Sequence, residues 1–173
     1  IDVDNFASRN LKLYYQLHKS LEKEKFFKRL KRCYKNFDQL LLFYNAEYLT
    51  SGLKSLKNID NNSIDYIFSH SVIEHIRKNE LNEIIKEIYR ILKPNGVISH
   101  NINYKDHLDE SLNNLRFSEE LWESELFANS GFYTNRIPAI EMHRYFKKNG
   151  FNLVEEDFGR WDNLPIKRRY LAK

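Results

Sequence analysis

The sequence predicts a layered α/β fold, with helices on both faces of a parallel sheet. Short segments rich in β-branched and aromatic residues alternate with segments of helical period. The spacing between them suits parallel β–α–β units, in which each helix crosses from one strand to the next. A length of 173 residues fits one domain, so we expect a single domain over residues 1–173.

The first part of the chain is predicted to be helical. Ser8 or Asn10 can cap a helix whose apolar positions extend over residues 11–30. Apolar residues at Phe37 and three, four and seven positions further on mark a second, shorter helix. A brief strand is then predicted over residues 46–50, ending at the turn residues 51–52.

The clearest β–α–β unit lies in the middle of the chain. Residues 64–68 form a nearly continuous apolar run, which is typical of a strand buried on both faces. An amphipathic helix follows over residues 81–92, with Asn79 as its predicted cap, and the Lys-Pro-Asn-Gly turn at residues 93–96 ends it. Residues 97–102 are predicted to form the next strand.

Residues 103–137 have no steady period and are predicted to be a long excursion, with short helices at most around residues 119–127. Loops of this length in compact domains usually carry function. A helix over residues 140–148, closed by Asn149-Gly150, and strands over residues 151–155 and 168–172 complete the predicted fold.

Composition narrows the functional classes. Apolar residues make up 42% and charged residues 30% of the chain, which excludes a disordered protein. No apolar run reaches the ~20 residues that cross a bilayer and no signal peptide is recognisable, so we expect a cytoplasmic protein without a membrane partner. Cys33, the single cysteine, is expected to be structural. The basic segment over residues 9–35 is interpreted as a solvated helix face rather than a nucleic-acid surface.

Ligands in such folds bind beyond the carboxyl ends of the strands. Asp2 or Asp4 can accept hydrogen bonds from the ribose hydroxyls of a nucleotide-like cofactor, although either can equally be a capping or solvent-facing aspartate. Ser69 and the residues after it can hold a charged ligand, and we slightly favour a site role for His70. Glu74 and His75 are interpreted as bracing the turn.

Histidines near the second strand end can carry proton transfer. His100 or His107, oriented by Asp106, has the chemistry to take a proton from an attacking hydroxyl or amine. The alternative is a divalent metal held by the histidines at positions 70, 75, 100 and 107. No HExxH or CxxC spacing supports that alternative, so no metal is predicted.

The excursion mixes amides, aromatic residues and arginines. Arg116 or Arg136 can clamp a substrate carboxylate or phosphate with two hydrogen bonds. Tyr133 and Asn135 are predicted to contact the substrate as well. Buried arginines that brace a long loop are an equally good interpretation.

Two segments then point to a known family: NSIDYIFSHSVIEHI at residues 62–76 and ILKPNGV at residues 91–97. They resemble the fourth strand, the following helix and the fifth strand of class I S-adenosylmethionine-dependent methyltransferases of the type-11-like group. Segments after residue 100, such as NNLRFSE and SGFYTNR, are similar to a bacterial subfamily. The resemblance covers about residues 1–165.

The resemblance implies a Rossmann-like methyltransferase sheet. Residues 1–4 would be its second strand, with Asp2 as the ribose-binding acid and Asp4 as the second choice. Adenine would lie near Thr50, Gly52 and Leu53, and the methionine part near Ser69 and His70. The family's first strand and glycine-rich loop would precede Ile1, so we expect a fragment of a longer enzyme.

The resemblance implies methyl transfer from S-adenosylmethionine to an oxygen or nitrogen atom of a small-molecule or sugar-like acceptor. Two other functions stay open at this point. One is a metal-dependent hydrolase built on the histidine cluster, and the other is a non-catalytic module that uses the basic segment over residues 9–35.

Overall fold

The computed structural model describes residues 1–2, 7–23 and 34–172. The chain falls into two compact units, residues 1–58 and residues 59–173. Asp4, Cys33 and the C-terminal part of the first predicted helix lie outside the described residues. The single methyltransferase domain over residues 1–173 stays a prediction.

The first unit contains the helices α1 (Leu11–Lys23), α2 (Phe37–Phe43) and α3 (Gly52–Lys57). Asparagine side chains cap the N-terminal ends of the first two. The side chain of Asn10 accepts the Lys12 amide at 3.1 Å, and that of Asn36 accepts the Gln39 amide at 2.8 Å. These contacts confirm Asn10 as a cap and the helix that begins at Phe37. The short helix α3 was not predicted.

The core of the first unit is aromatic. Tyr34, Phe37 and Leu40 are buried, and partly buried apolar side chains from residues 7–15 and 41–48 pack around them. The Tyr15 ring stacks on the Tyr34 ring with centroids 4.9 Å apart, and the Tyr15 hydroxyl donates to the Tyr34 backbone oxygen. Rings in these geometries attract each other beyond the area that they bury, so this cluster holds α1 and α2 together.

The strand predicted over residues 46–50 is wrong. The chain leaves α2 through Asn45, which has a left-handed backbone (φ 49°), and residues 46–50 then run without assigned secondary structure. Two backbone hydrogen bonds tie the end of this segment to Asp2: the Asp2 amide donates to Leu49 and the Gly52 amide donates to Asp2. Two backbone hydrogen bonds at a single residue do not form the ladder of bonds that joins paired β-strands.

The second unit contains the predicted β–α–β unit. Strand β1 (Ile64–His70) leads through a 3-10 turn (Ile73–His75) and helix α4 (Lys78–Ile91) into strand β2 (Leu92–Asn101). The two strands pair in parallel, with Ser69 opposite His100 and His70 opposite Asn101. The crossover therefore brings both carboxyl ends to one edge.

Three details of this unit differ from prediction. Helix α4 has Arg77 rather than Asn79 at its cap position. Residues 93–96 lie inside β2, where the register shifts between the pairs Ile64–Leu92 and Tyr66–Val97. Strand β1 is not buried on both faces, because Tyr66 and Phe68 are 55% and 72% exposed and the sheet has two strands within the described residues.

Short helices follow β2, as predicted for the excursion. They are a 3-10 turn (Asn113–Arg116), α5 (Glu119–Trp122) and α6 (Glu125–Ala128), and the longer α7 (Ala139–Lys148) comes after them. The strand predicted over residues 151–155 is wrong: Val154 is 93% exposed and finds no strand partner in the described chain. Residues 168–172 are not a strand either, since a 3-10 turn (Arg168–Tyr170) occupies them. No described helix has the length and apolar character to cross a membrane.

The core of the second unit lies between α4 and α7. Ile73, Leu81, Ile85, Ile137 and Met142 are buried together. The predicted stop after α7 is confirmed at Gly150, which has a left-handed backbone (φ 97°) and lies so close to Tyr89 that a Cβ would be 2.8 Å from its ring. Helix α4, the amphipathic helix predicted from the sequence, thus buries in this core the apolar face that its period predicts.

Leu81→Ala tests this core. Leu81 is fully buried, so truncation leaves a cavity and we expect the free energy of unfolding to fall by about 2–5 kcal/mol. Urea unfolding followed by circular dichroism measures it. Leu126→Ala, at a side chain that is 75% exposed, is the control and should change stability by less than about 0.5 kcal/mol. Equal effects of the two variants would contradict the assigned core.

Candidate active site

Ser69 and His100 meet at the edge where β1 and β2 end. The Ser69 hydroxyl and His100 Nδ1 share a hydrogen bond of 2.7 Å, and the His100 ring packs on Phe146 with centroids 5.5 Å apart. His100 Nε2 is buried without a partner in the described structure. Burial lowers the pKa of His100 to about 4, so its ring is neutral at physiological pH and a weak proton acceptor.

The chain turns sharply after β1. His70 is exposed at the strand end, and Ser71 adopts a left-handed backbone (φ 51°) while its amide donates to Asn101 on β2. A non-glycine residue in this region costs energy and often marks a functional site.

Glu74 links this turn to the segment after β2. Its side chain is 2% exposed, and Oε1 accepts the Asn103 amide at 3.1 Å. Oε2 is buried without a hydrogen-bond partner. Burial and the Glu74 charge together raise the pKa of Tyr104. The bracing role predicted for Glu74 therefore has a structural basis, and one carboxylate oxygen is left over.

Two histidines from different segments meet beside Glu74. His75 Nε2 lies 3.2 Å from His107 Nε2, and the two rings are within 14° of parallel. His75 Nδ1 contacts the backbone oxygen of Tyr133 at 2.9 Å. The structure thus brings His107 to His75.

Asp106 does not orient a histidine in the described structure. It is fully buried, and its two carboxylate oxygens accept backbone amides of residues 108, 109, 111 and 114 at 3.0–3.2 Å. Burial raises the pKa of Asp106, but these four hydrogen bonds outweigh burial and hold it below the ordinary value. Asp106 therefore organises the loop that carries His107, and a charge contact to His107 or His100 is absent from the described contacts.

The excursion is fastened to the turn after β1 through Asn135. Its side-chain amide donates to the backbone oxygens of Ile73 and Ile76 at 2.9 and 3.0 Å, and its backbone amide donates to Glu74. Tyr133 is 2% exposed and its hydroxyl donates to Glu123 at 2.9 Å. Burial, together with Glu123, raises the pKa of Tyr133. Both side chains are occupied within the protein.

The two predicted arginines differ in their surroundings. The Arg136 side chain is 6% exposed; it donates to the backbone oxygens of Asn114 and Phe117 at 3.0 and 2.9 Å and pairs with Glu119. It thus braces the excursion. Arg116 is exposed, and lies 5.5 Å from the Tyr170 ring centroid.

Arg116 lines an open cavity of about 580 Å³ in the excursion. The lining residues are Leu108, Asp109, Asn113, Arg116 and Phe117. A volume of this size suits a small molecule. A carboxylate, an amide and a guanidinium offer donors and acceptors for a hydroxyl-rich ligand, while Phe117 supplies an apolar face. His107 precedes the first lining residue in the chain.

In the first unit, the structure brings together two parts of the predicted cofactor site. Asp2 is tied by its backbone to Leu49 and Gly52, beside Thr50 and Leu53, and its Oδ2 accepts the Tyr48 hydroxyl at 3.2 Å. A carboxylate next to this turn has the chemistry to accept ribose hydroxyls. The second candidate acid, Asp4, lies outside the described residues.

The described residues contain no group of three or more His, Cys, Asp or Glu arranged to hold a metal ion. Of the four histidines considered for a metal site, the structure joins His75 to His107 and joins His100 to Ser69 instead. The pairing of His75 with His107 was not predicted. Each follows a different strand, and only the parallel register places those strand ends side by side.

The parallel β–α–β unit is the unit from which Rossmann-like α/β folds are built, and ligands in such folds bind beyond the strand ends. Residues 23–99 match the family model of a methyltransferase domain. This match supports a class I methyltransferase of the type-11 group, and methyltransferases of that family use S-adenosylmethionine as their cofactor. No curated protein matches the chain, and no solved structure does.

Asp106→Asn tests the loop-organising role. We expect the free energy of unfolding to fall by about 1–3 kcal/mol at neutral pH, because a charged acceptor of four backbone amides is replaced. The folded pKa of Asp106 is depressed, so its contribution is complete above the ordinary value of about 4 and is lost as pH falls through the folded pKa.

Urea unfolding of wild type and Asp106→Asn at several pH values measures this difference. The gap between the two proteins should narrow below about pH 4. Asp109→Asn, at an exposed neighbour, is the matched control and should show a much smaller gap. A gap that is independent of pH would contradict the account.

His100 provides a second test by its titration. With a folded pKa of about 4, its ring proton shifts should stay flat between about pH 5.5 and 8, whereas histidines of the same protein in urea titrate near 6.5. Because the folded pKa of His100 is depressed, its contribution to the free energy of unfolding is complete above about pH 6.5. On the order of 3 kcal/mol is lost as the pH falls towards 4. An assigned NMR titration measures it; a His100 midpoint near 6.5 would contradict the burial.

Proposed function

We propose that this methyltransferase acts on an oxygen or nitrogen atom of a small, sugar-like acceptor. The observation that carries the proposal is the open cavity in the excursion, which is lined by Asp109, Asn113, Arg116 and Phe117 together with Leu108. Vicinal hydroxyls need donors and acceptors at fixed positions, and a sugar ring also offers an apolar face. The cavity supplies both kinds of contact.

Cofactor contacts come from two places in the chain. Asp2 would accept the ribose hydroxyls, and the turn at Thr50, Gly52 and Leu53 would support adenine. Ser69 and His70, at the end of β1, would lie along the methionine part. When bound, S-adenosylmethionine supplies an electrophilic methyl group. The assignment of Ser69 and His70 rests on their position at the end of β1. The assignment of Asp2 and residues 50–53 rests on the backbone bonds between Asp2 and residues 49–52.

The acceptor would be held by the excursion. Arg116 is the arginine whose guanidinium is exposed at the cavity, so it is our first choice for a substrate contact. Tyr133, Asn135 and Arg136 would act by holding the excursion in place. Most of the rate enhancement would come from alignment of the acceptor atom with the methyl group.

Proton removal from the acceptor would fall to His107. His100 is neutral but weakly basic because of its burial, and the Asp106 carboxylate is filled by backbone amides. His107 is partly exposed and adjoins the cavity residue Leu108 in the chain. The family match does not favour a metal-dependent hydrolase or a basic binding module.

Asp2→Asn tests the cofactor site. Loss of a charged acceptor for ribose hydroxyls costs about 1.5–3 kcal/mol, so we expect binding of S-adenosylhomocysteine to weaken by roughly 10- to 100-fold. Isothermal titration calorimetry on the natural full-length protein measures it. Asp38→Asn, at an exposed aspartate of α2, is the control and should bind as wild type does. Unchanged affinity in Asp2→Asn would overturn the ribose assignment, and no binding by wild type would overturn the proposal.

A further inference from the structure

The contact between His75 and His107 fixes which nitrogen of each ring carries a proton. The backbone oxygen of Tyr133 has only lone pairs, so His75 Nδ1, 2.9 Å away, must be the donor. A neutral His75 then has a bare Nε2. Because His107 Nε2 lies 3.2 Å from it, His107 must donate from Nε2 and keep a lone pair on Nδ1. The tautomers are thus assigned from the hydrogen bonds.

Buried neighbours on both sides hold this pair in place. Next to His75, Glu74 is 2% exposed and accepts the Asn103 amide. Next to His107, Asp106 is fully buried and accepts four amides of its loop. The Tyr133 carbonyl is fixed because its own ring is buried and because Asn135, two residues on, is bonded to the backbone of residues 73–76.

From this geometry we propose that His75 is a positioning residue that presents Nδ1 of His107 as the proton acceptor of the methyl-transfer reaction. The inference rests on the proposed function for its role in the reaction, but the tautomers do not. The direction of donation runs one way: His107 Nε2 to His75, and His75 Nδ1 to the Tyr133 carbonyl.

The reaction step balances with these groups. The acceptor oxygen or nitrogen bonds to the methyl carbon, the bond from that carbon to sulfur breaks, and its electron pair goes to sulfur. The acceptor proton passes to His107 Nδ1. The resulting imidazolium keeps its Nε2–H bond to His75, which becomes a stronger, charge-assisted bond. No side chain has to reorient during the transfer.

His75 accepts in this arrangement, because its Nδ1 already donates to a carbonyl and its Nε2 faces the N–H of His107. Within the pair, the lone pair that no described contact engages is on His107 Nδ1, so the proton of the methyl acceptor binds there. The neutral His75 serves the purpose that a carboxylate serves beside a catalytic histidine, without adding a negative charge.

Nitrogen NMR reads the tautomers directly. Long-range proton–nitrogen spectra of protein with labelled histidine, recorded at about pH 8, should give His75 as the Nδ1–H form and His107 as the Nε2–H form. His75→Leu should let His107 relax to a mixture of both forms. His75→Gln, whose side-chain oxygen can accept the same N–H, should restore the single form.

Tyr133→Phe is the matched control, because it keeps the backbone oxygen and removes only the hydroxyl contact with Glu123; His75 should stay in the Nδ1–H form. The inference would be overturned if His75 were found mainly in the Nε2–H form in wild type. It would also be overturned if the His107 tautomer stayed the same in His75→Leu. Calorimetry with S-adenosylhomocysteine on the same proteins separates it from the proposed function: binding with the wrong tautomers defeats only the inference, and no binding by wild type defeats the methyltransferase site itself.

Discussion

The parallel pairing of β1 with β2 is the constraint on which the candidate site depends. A crossover through α4 forces both strands to end at one edge, so residues far apart in sequence become neighbours: Ser69 meets His100, and the turn after β1 meets the segment after β2. Buried carboxylates then fix what the sheet has brought together. Glu74 holds one segment and Asp106 shapes the other, and neither is exposed to solvent.

The spacing of apolar residues in the sequence predicted those helices and strands that are stabilised by burying one apolar face. The β–α–β unit, α2 and α7 follow from local pattern, since an amphipathic helix buries the same stripe wherever it packs. The strands predicted over residues 46–50 and 151–155 failed for a different reason. A strand needs a partner for its backbone groups, and the apolar character of Leu153 and Val154 carries no information about whether a partner is present.

The hydrogen-bond partners within the candidate site could not be predicted. The sequence located the ends of β1 and β2, yet it could not tell which donors bind a carboxylate. Asp106 is of the residue type that can orient a catalytic base, but its carboxylate oxygens accept hydrogen bonds from four backbone amides instead. Arg116 and Arg136 were equal candidates for a substrate contact, but the Arg136 guanidinium already donates to two backbone oxygens and pairs with Glu119. The pairing of His75 with His107 depends on register and on the carbonyl of Tyr133, and neither has a local sequence signal.

The proposed cofactor contacts, at residues 49–53 and at residues 69–75, are tested most directly by hydrogen exchange with and without S-adenosylhomocysteine. Mass spectrometry of the full-length protein should show slower amide exchange in peptides that cover residues 49–53 and 69–75 when the ligand is present. Peptides covering residues 155–165, which are mostly exposed, should exchange alike in both samples. Binding that protects other segments and leaves the exchange of residues 49–53 and 69–75 unchanged would contradict this assignment.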